Sequence, residues 1–267
     1  MNIEQELRRD YNPEDSILRK HQMRMLDILL TLDNICKKHN ISYWLSSGTL
    51  IGAVRHKGFI PWDDDLDVEI MRKDYLRLIK ILPGELPADM ALQTRSTDKN
   101  YTSIYAKIRD LNSCLSETND YDRVFKFKGI YIDLFPMERI PYSLAWVAAH
   151  MHGHIYKILK NNALSEASRL KRINRFFVFN TKIGFPILRF LSKCWPGKII
   201  RHSLGTAFFA PRYQKDLFPL TEIQFEGHYF PAPGNTDGYL RRIYGDYMKL
   251  PPLDQRGIHI NDIKFLE

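Results

Sequence analysis

The chain has 267 residues, 44% hydrophobic and 26% charged, with 14 Gly and 14 Pro. That composition excludes a fibrous, low-complexity or disordered chain and gives a globular protein able to bury a sizeable core, as one domain or one domain with an appendage. The net charge of +8 is concentrated: residues 139–215 carry fourteen Lys or Arg against the single acid Glu166, a surplus that asks for nucleic acid, a membrane surface or a phosphate-bearing substrate.

The amino-terminal MNIEQELRRDYNPED is charged and lacks the apolar run of a secretory signal. A helix is predicted from Ser16 to Lys38, capped by Ser16, with Ile17, Leu18, Met25, Leu26, Leu29, Leu32 and Cys36 near helical spacing. Ile41–Leu45 reads as a short strand running into Ser46-Ser47-Gly48-Thr49. A brief helix from Thr49 to Arg55 follows, then a loop at Gly58, Pro61 and Trp62. Leu66, Val68 and Ile70 alternate with Asp65, Asp67 and Glu69, the period of a half-buried strand. Asp74–Leu82 reads as a helix stopped by Pro83-Gly84. Ala91–Thr94, Ser103–Ile108 and Gly129–Phe135 read as strands. The first 140 residues are thus a mixed α+β sheet domain. Residues 141–215 turn helical, basic and aromatic, with helices expected over Ser143–Leu159, Leu164–Phe179, Ile183–Lys193 and Gly197–Leu204. From Gln224 strand and turn signals return, with a short helix over Asp237–Tyr244, so residues 216–267 are expected to complete the core of residues 1–140.

Cys36, Cys114 and Cys194 lie far apart without Cys-x-x-Cys spacing, which argues against a disulfide framework or zinc knuckle and suits a reducing compartment. No window approaches the ~18–20 apolar residues that span a bilayer. The expected setting is the cytoplasm.

The chemistry is densest in PWDDDLDVEI. On a strand Asp65 and Asp67 point to one face, where two carboxylates make a platform for one or two hard cations. Three aspartates in isolation are a solvated acidic turn; here Pro61-Trp62, β-branched neighbours and an upstream Gly-Thr turn frame them. A Gly48-Thr49 turn opening a helix offers backbone N–H groups and the helix dipole to a phosphate. His150, His152 and His154 resemble a metal motif, but only the first and last share a helix face and no carboxylate or thiolate stands nearby. Tyr244, Asp246 and Tyr247 are either a turn that closes a helix or a pocket wall. Trp44, Trp62, Tyr101 and Tyr105 are available for an aromatic cage. The stretch Arg169–Arg201 mixes aromatics with basic residues, as either a packed subdomain or a surface for anionic lipid.

The run GTLIGAVRHKGFIPWDDDLD, with Asp133-Leu134-Phe135-Pro136 and the later FEGHYFPAP and YLRRIYGDYMKLPP segments, resembles the LicD family. The resemblance implies a nucleotidyltransferase-like mixed sheet flanked by helices, with the basic helical stretch as an addition. It implies Asp65 and Asp67 as ligands of Mg²⁺, with Mn²⁺ as the alternative ion. Asp133 would be the third carboxylate, either binding the metal or deprotonating the acceptor. Donor-phosphate contacts are expected at Gly48, Thr49, Arg55, His56 and Lys57, with Tyr244 and Asp246 as a donor-pocket wall and Arg256 and His259 as further phosphate contacts. The implied reaction moves a phospho-alcohol, phosphocholine from CDP-choline foremost, onto a sugar hydroxyl of a glycan or glycolipid, with peripheral contact at the anionic inner membrane face. Nucleotidyl transfer is the alternative. A basic nucleic-acid-binding protein has no aromatic RNA-binding or helix-turn-helix signal and leaves the D-x-D strand unexplained; no nucleic-acid partner is expected.

Overall fold

The computed structural model describes residues 3–118, 121–194, 199–256 and 260–266. The chain begins with α1 (Ile3–Tyr11), which the sequence pattern did not suggest because none of its residues is buried. Polar contacts hold it: Glu4 Oε2 lies 2.5 Å from His56 Nδ1, and Arg8 donates to the His56 carbonyl at 3.3 Å. Helix α2 (Ile17–Lys38) starts as expected, with Ser16 Oγ accepting from Arg19 N at 3.1 Å. Its Met25, Leu26, Leu29, Leu32 and Cys36 enter the main core.

Strand β1 is only Trp44–Leu45, and α3 spans Ser47–His56. Strand β2 is Asp67–Met71, so Asp65 sits in the loop before it and not on the strand. Helix α4 (Arg72–Glu85) runs through Pro83 instead of stopping there. In a last turn the proline removes one backbone donor and leaves no later turns to disrupt. Strands β3 (Met90–Gln93), β4 (Ala106–Asp110), β5 (Ser113–Glu117) and β6 (Tyr131–Arg139) follow.

Seven of the described strands form one mixed sheet in the order β1-β2-β6-β4-β3, extended by β7 (Ile199–His202) against β6 and β8 (Arg212–Tyr213) against β7. Strands β2 and β6 are parallel, with Asp67 opposite Asp133, and the other pairs are antiparallel. Helices α2 and α4 pack on β6 and on each other. This is the expected α+β mixed sheet flanked by helices. Strand β2 is not half-buried, however: it lies inside the sheet, and Val68, Glu69 and Ile70 are all fully buried.

Helices α5 (Tyr142–Leu159), α6 (Glu166–Phe179) and α7 (Phe185–Lys193) form the basic helical addition, with a π turn at Asn180–Gly184 joining the last two. They enclose two small cores, one around Ala148 and Phe185, the other around Ile155, Ile173 and Phe177. The helix expected over Gly197–Leu204 is not formed. Residues 199–202 are β7, because pairing with Met137–Arg139 outweighs local helix propensity; Trp195 and Gly197 lie outside the described residues. After α8 (Gln214–Leu217) comes the hairpin β9 (Thr221–Phe225)–β10 (His228–Ala232), turned at Glu226 and Gly227, both at positive φ. Helix α9 (Thr236–Tyr244) is capped by Asn235 Oδ1, which accepts from Gly238 N at 3.0 Å. Strand β11 (Ile260–Phe265) pairs with β5. No described helix is long and apolar enough to cross a membrane.

Candidate active site

The acidic loop between α3 and β2 is shaped from behind by α2. Gln22 Nε2 donates to the Asp63 carbonyl at 2.9 Å, and His21 Nε2 donates to the Asp64 carbonyl at 2.9 Å. The Asp64 carboxylate points away from any reaction: its Oδ2 accepts from Ile260 N at 2.8 Å and ties β11 to the loop. At the loop's end, Thr49 Oγ1 accepts from Asp67 N at 2.9 Å, locking the start of β2 onto α3. Gly48 is required where it stands, because a Cβ there would lie 2.6 Å from Asp63 Oδ2. Ser47 beside it adopts φ +49, an uncommon conformation for a non-glycine residue that tends to accompany functional sites.

These pieces open onto a cavity of about 590 Å³ lined by Gly48, Asp63, Asp65 and Asp67 on one side and by Phe135, His202, Phe208, Arg212 and Tyr244 on the other. Burial pushes the Asp63 and Asp67 carboxyls well above the usual carboxylate range, and the neighbouring charges, Asp65 for both and Asp133 for Asp67, add to it. Asp133 is raised chiefly by burial, opposed by Lys107, whose Nζ lies 2.8 Å from Asp133 Oδ1. Carboxylates crowded in this way are stabilised by a cation. Among the described residues no three carboxylate, imidazole or thiol groups converge as a ready-made cage. The donor set still fits magnesium, a hard ion that takes one or two protein carboxylates and completes its shell with water and substrate phosphate.

Beneath the cavity lies a buried polar network centred on Glu69. Its carboxylate accepts from Arg212 Nη2 at 2.5 Å, Tyr239 Oη at 2.8 Å and Trp44 Nε1 at 2.9 Å, and His202 Nε2 stands 3.1 Å away. Burial works against the Glu69 charge, but Arg212, then His202 and Tyr239, outweigh it and hold the carboxyl far below its ordinary range. Burial pulls His202 down, so its ring is neutral near pH 7. Arg212 is further fixed by donating to the Ala210 carbonyl at 2.7 Å.

The structure therefore brings Gly48, Asp65, Asp67 and Tyr244 to one cavity, and Asp133 pairs opposite Asp67 in the sheet. Thr49 stands behind the wall. Arg55, His56 and Lys57 end α3 elsewhere: Arg55 donates to the Tyr247 carbonyl at 2.9 Å, His56 is buried against Glu4, and the Lys57 carbonyl accepts from Glu226 N at 2.8 Å. Asp246 is outside the cavity lining, as is Tyr247, which donates to Asp237 at 3.0 Å. Arg256 packs over Trp62, 4.6 Å from the ring centroid, and His259 lies outside the described residues. The four rings offered for a cage do not line the cavity; Trp44 and Tyr101 are fully buried. His152 is buried with Nε2 donating to the Thr102 carbonyl at 2.8 Å, and His150 bonds to the Trp146 carbonyl, so neither joins a metal site. Sequence reasoning missed His202, Phe208 and Arg212, which carry no local motif and reach the site only through the pairing of β7 and β8 with the sheet.

A buried carboxylate cluster at the start of a parallel strand pair, beside a strained Ser-Gly helix start, defines a transferase of nucleotidyltransferase-like fold. Residues 40–154 match the LicD/FKTN/FKRP nucleotidyltransferase domain, and the chain is a LicD-like transferase. It is 29% identical over 273 aligned positions to the lipopolysaccharide cholinephosphotransferase LicD of Haemophilus influenzae, covering 93% of this chain and 98% of that protein. A 64-residue segment is 47% identical to an uncharacterized protein of Rickettsia prowazekii, 24% of each chain. A 34-residue segment, 13% of this chain, is 50% identical to 7% of the ribitol 5-phosphate transferase FKRP of Homo sapiens and, equally, of Mus musculus.

Proposed function

We propose that this protein transfers phosphocholine from CDP-choline to a sugar hydroxyl of a cell-surface glycan or its lipid-linked precursor. The observation that carries the reading is the carboxylate cavity, in a chain whose likeness to a cholinephosphotransferase runs nearly end to end. Asp65 and Asp67 would hold magnesium, with manganese as the substitute, and the bound ion would neutralise donor phosphate charge and orient it. Asp63, kept in place by Gly48 and Gln22, adds charge at the same wall. Asp133, poised by Lys107, takes the proton from the attacking hydroxyl as it displaces cytidine monophosphate in line. The protein's contribution is mainly positioning and electrostatics in a dry site.

The reaction is placed at the cytoplasmic membrane face. The joined helices α6 and α7 expose Phe176, Phe179, Ile183, Ile187 and Phe190, at steps of three and four, within the chain's most basic stretch. Apolar side chains flanked by cations suit an anionic lipid surface. Flotation with phosphatidylglycerol vesicles should carry the protein upward, and Ile187→Ser with Phe190→Ser should abolish it; equal flotation of the variant would remove the membrane assignment.

The decisive assay incubates protein and Mg²⁺ with a panel of CDP-linked alcohols and follows cytidine monophosphate release with and without glycan acceptor. Mass spectrometry of the product separates phospho-alcohol transfer from nucleotidyl transfer. A product carrying the nucleotide would overturn the proposal.

A further inference from the structure

The cavity has a second chemical character opposite its carboxylates. Phe135, His202 and Phe208 meet there as three mutually inclined rings. Phe135 and Phe208 are edge to face with centroids 5.8 Å apart and planes at 85°; Phe135 and His202 are 5.0 Å apart at 58°; His202 and Phe208 are 5.4 Å apart at 63°. Rings inclined in this way make a concave corner. The corner is rigidly backed: Tyr105 packs on Phe135 at 4.4 Å, and Glu69 lies behind His202. It is also open. Phe208 is 54% exposed at the cavity rim, although a phenyl ring gains by burial, whereas Phe135 is 5% exposed at its base. The one formal cation beside the corner among the described lining residues, Arg212, has its charge met by Glu69 at 2.5 Å.

We infer that the Phe135–His202–Phe208 corner is the head-group subsite and selects a quaternary ammonium by cation–π contact. Such a cation cannot donate hydrogen bonds, so a site recognises it by aromatic faces and long-range negative charge. Both are here: the rings on one wall, and Asp63, Asp65 and Asp67 across the same cavity. A polyol such as ribitol needs hydroxyl partners, and this corner offers none beyond the imidazole. The neutral state of His202 agrees, since an imidazolium would repel the ligand. This inference rests on the phosphocholine reading above and adds which residues make the choice.

The test compares phosphocholine with its uncharged isostere, 3,3-dimethylbutyl phosphate, in wild type and Phe208→Leu. Leucine keeps the apolar bulk and removes the ring. Calorimetry reads binding of both ligands, and kcat/KM is read with the matching CDP-linked donors. Wild type should prefer the ammonium ligand, and Phe208→Leu should lower that preference about 5- to 30-fold. Phe208→Tyr should restore it. An unaltered preference in Phe208→Leu overturns the subsite. Equal loss for both donors also overturns it, and would mean that Phe208 stacks on the cytosine. Binding does not depend on turnover: ammonium preference without cytidine monophosphate release from any donor would refute the transferase reading and leave the subsite standing. Transfer without ammonium preference would do the reverse.

Discussion

Removing the Arg212 guanidinium tests how the floor of the cavity is held. In Arg212→Met the Glu69 carboxylate, with its side chain fully buried, keeps the donors Trp44 and Tyr239 but loses its charged partner. Stranding a buried charge in this way costs about 3–5 kcal/mol, a large share of the ~5–15 kcal/mol that holds a domain together. Glu69→Gln strands Arg212 instead and should cost a similar amount. In the double variant the glutamine Oε1 can still accept from Trp44 and Tyr239 while methionine fills the guanidinium's space, so stability should return to within about 2 kcal/mol of wild type. Urea unfolding followed by tryptophan fluorescence, with the slope checked for constancy, gives the four free energies. The pH dependence supplies a second reading. Arg212 holds Glu69 below its ordinary value against the effect of burial, so the pair's contribution is present above the unfolded carboxyl's pKa of ~4.3 and is lost as pH falls below it. The gap between wild type and Glu69→Gln should therefore narrow in acid. Single variants costing under about 1 kcal/mol, or a double variant as costly as their sum, would refute the view of the network as a coupled ion pair.

Asp65→Ala and Asp67→Ala should each abolish transfer while the far-ultraviolet spectrum stays native. Asp67→Ala should also raise Tm by a few degrees, because it relieves carboxylate repulsion; wild-type turnover in either folded variant would remove the metal assignment. Gly48→Ala should lower kcat at least about tenfold with little change in fold, since its Cβ would meet Asp63 Oδ2 at 2.6 Å and displace the carboxylate; unchanged kcat would show that the position of Asp63 does not matter. Burial pulls His152 down to about 4, so wild type should lose about 1.4 kcal/mol per pH unit as pH falls from ~6.5 towards that value, while the unfolded chain alone takes the proton. His152→Gln, which can keep the bond to Thr102 without titrating, should lack that component, and parallel urea midpoints from pH 7 to 5 would contradict it.

What could be read in the sequence was what is local. Ser16 caps α2 because the cap is a contact of three residues, and the carboxylates crowd together because they are neighbours in the chain. Strand β2 was misjudged as half-buried because the partner that covers Glu69, Arg212, is 143 residues away. Residues 197–204 read as helix for the same reason: the edge of β6 that captures Ile199–His202 is invisible in that stretch. The roles expected of Arg55, His56 and Lys57 followed their place in a motif, but the left-handed turn at Lys57 directs the chain towards Glu226 and away from the cavity. Asp63 and Asp64, adjacent and chemically identical, have different tasks that only the clamp from α2 and β11 separates.

That clamp has a consequence for how the enzyme comes to exist. The loop bearing Asp63–Asp65 is held by Gln22 and His21 on one side and by Ile260 on the other, and the opposite wall of its cavity is drawn from residues 135, 202–212 and 244. While a ribosome is still short of residue 260, the sheet can pair β2 with β6 and bury most of its apolar surface, yet the acidic loop lacks its last fastening. Contacts of such long range close late. The nascent chain should thus pass through a stage that is largely folded and chemically inert, and its reactive centre should assemble only as synthesis finishes.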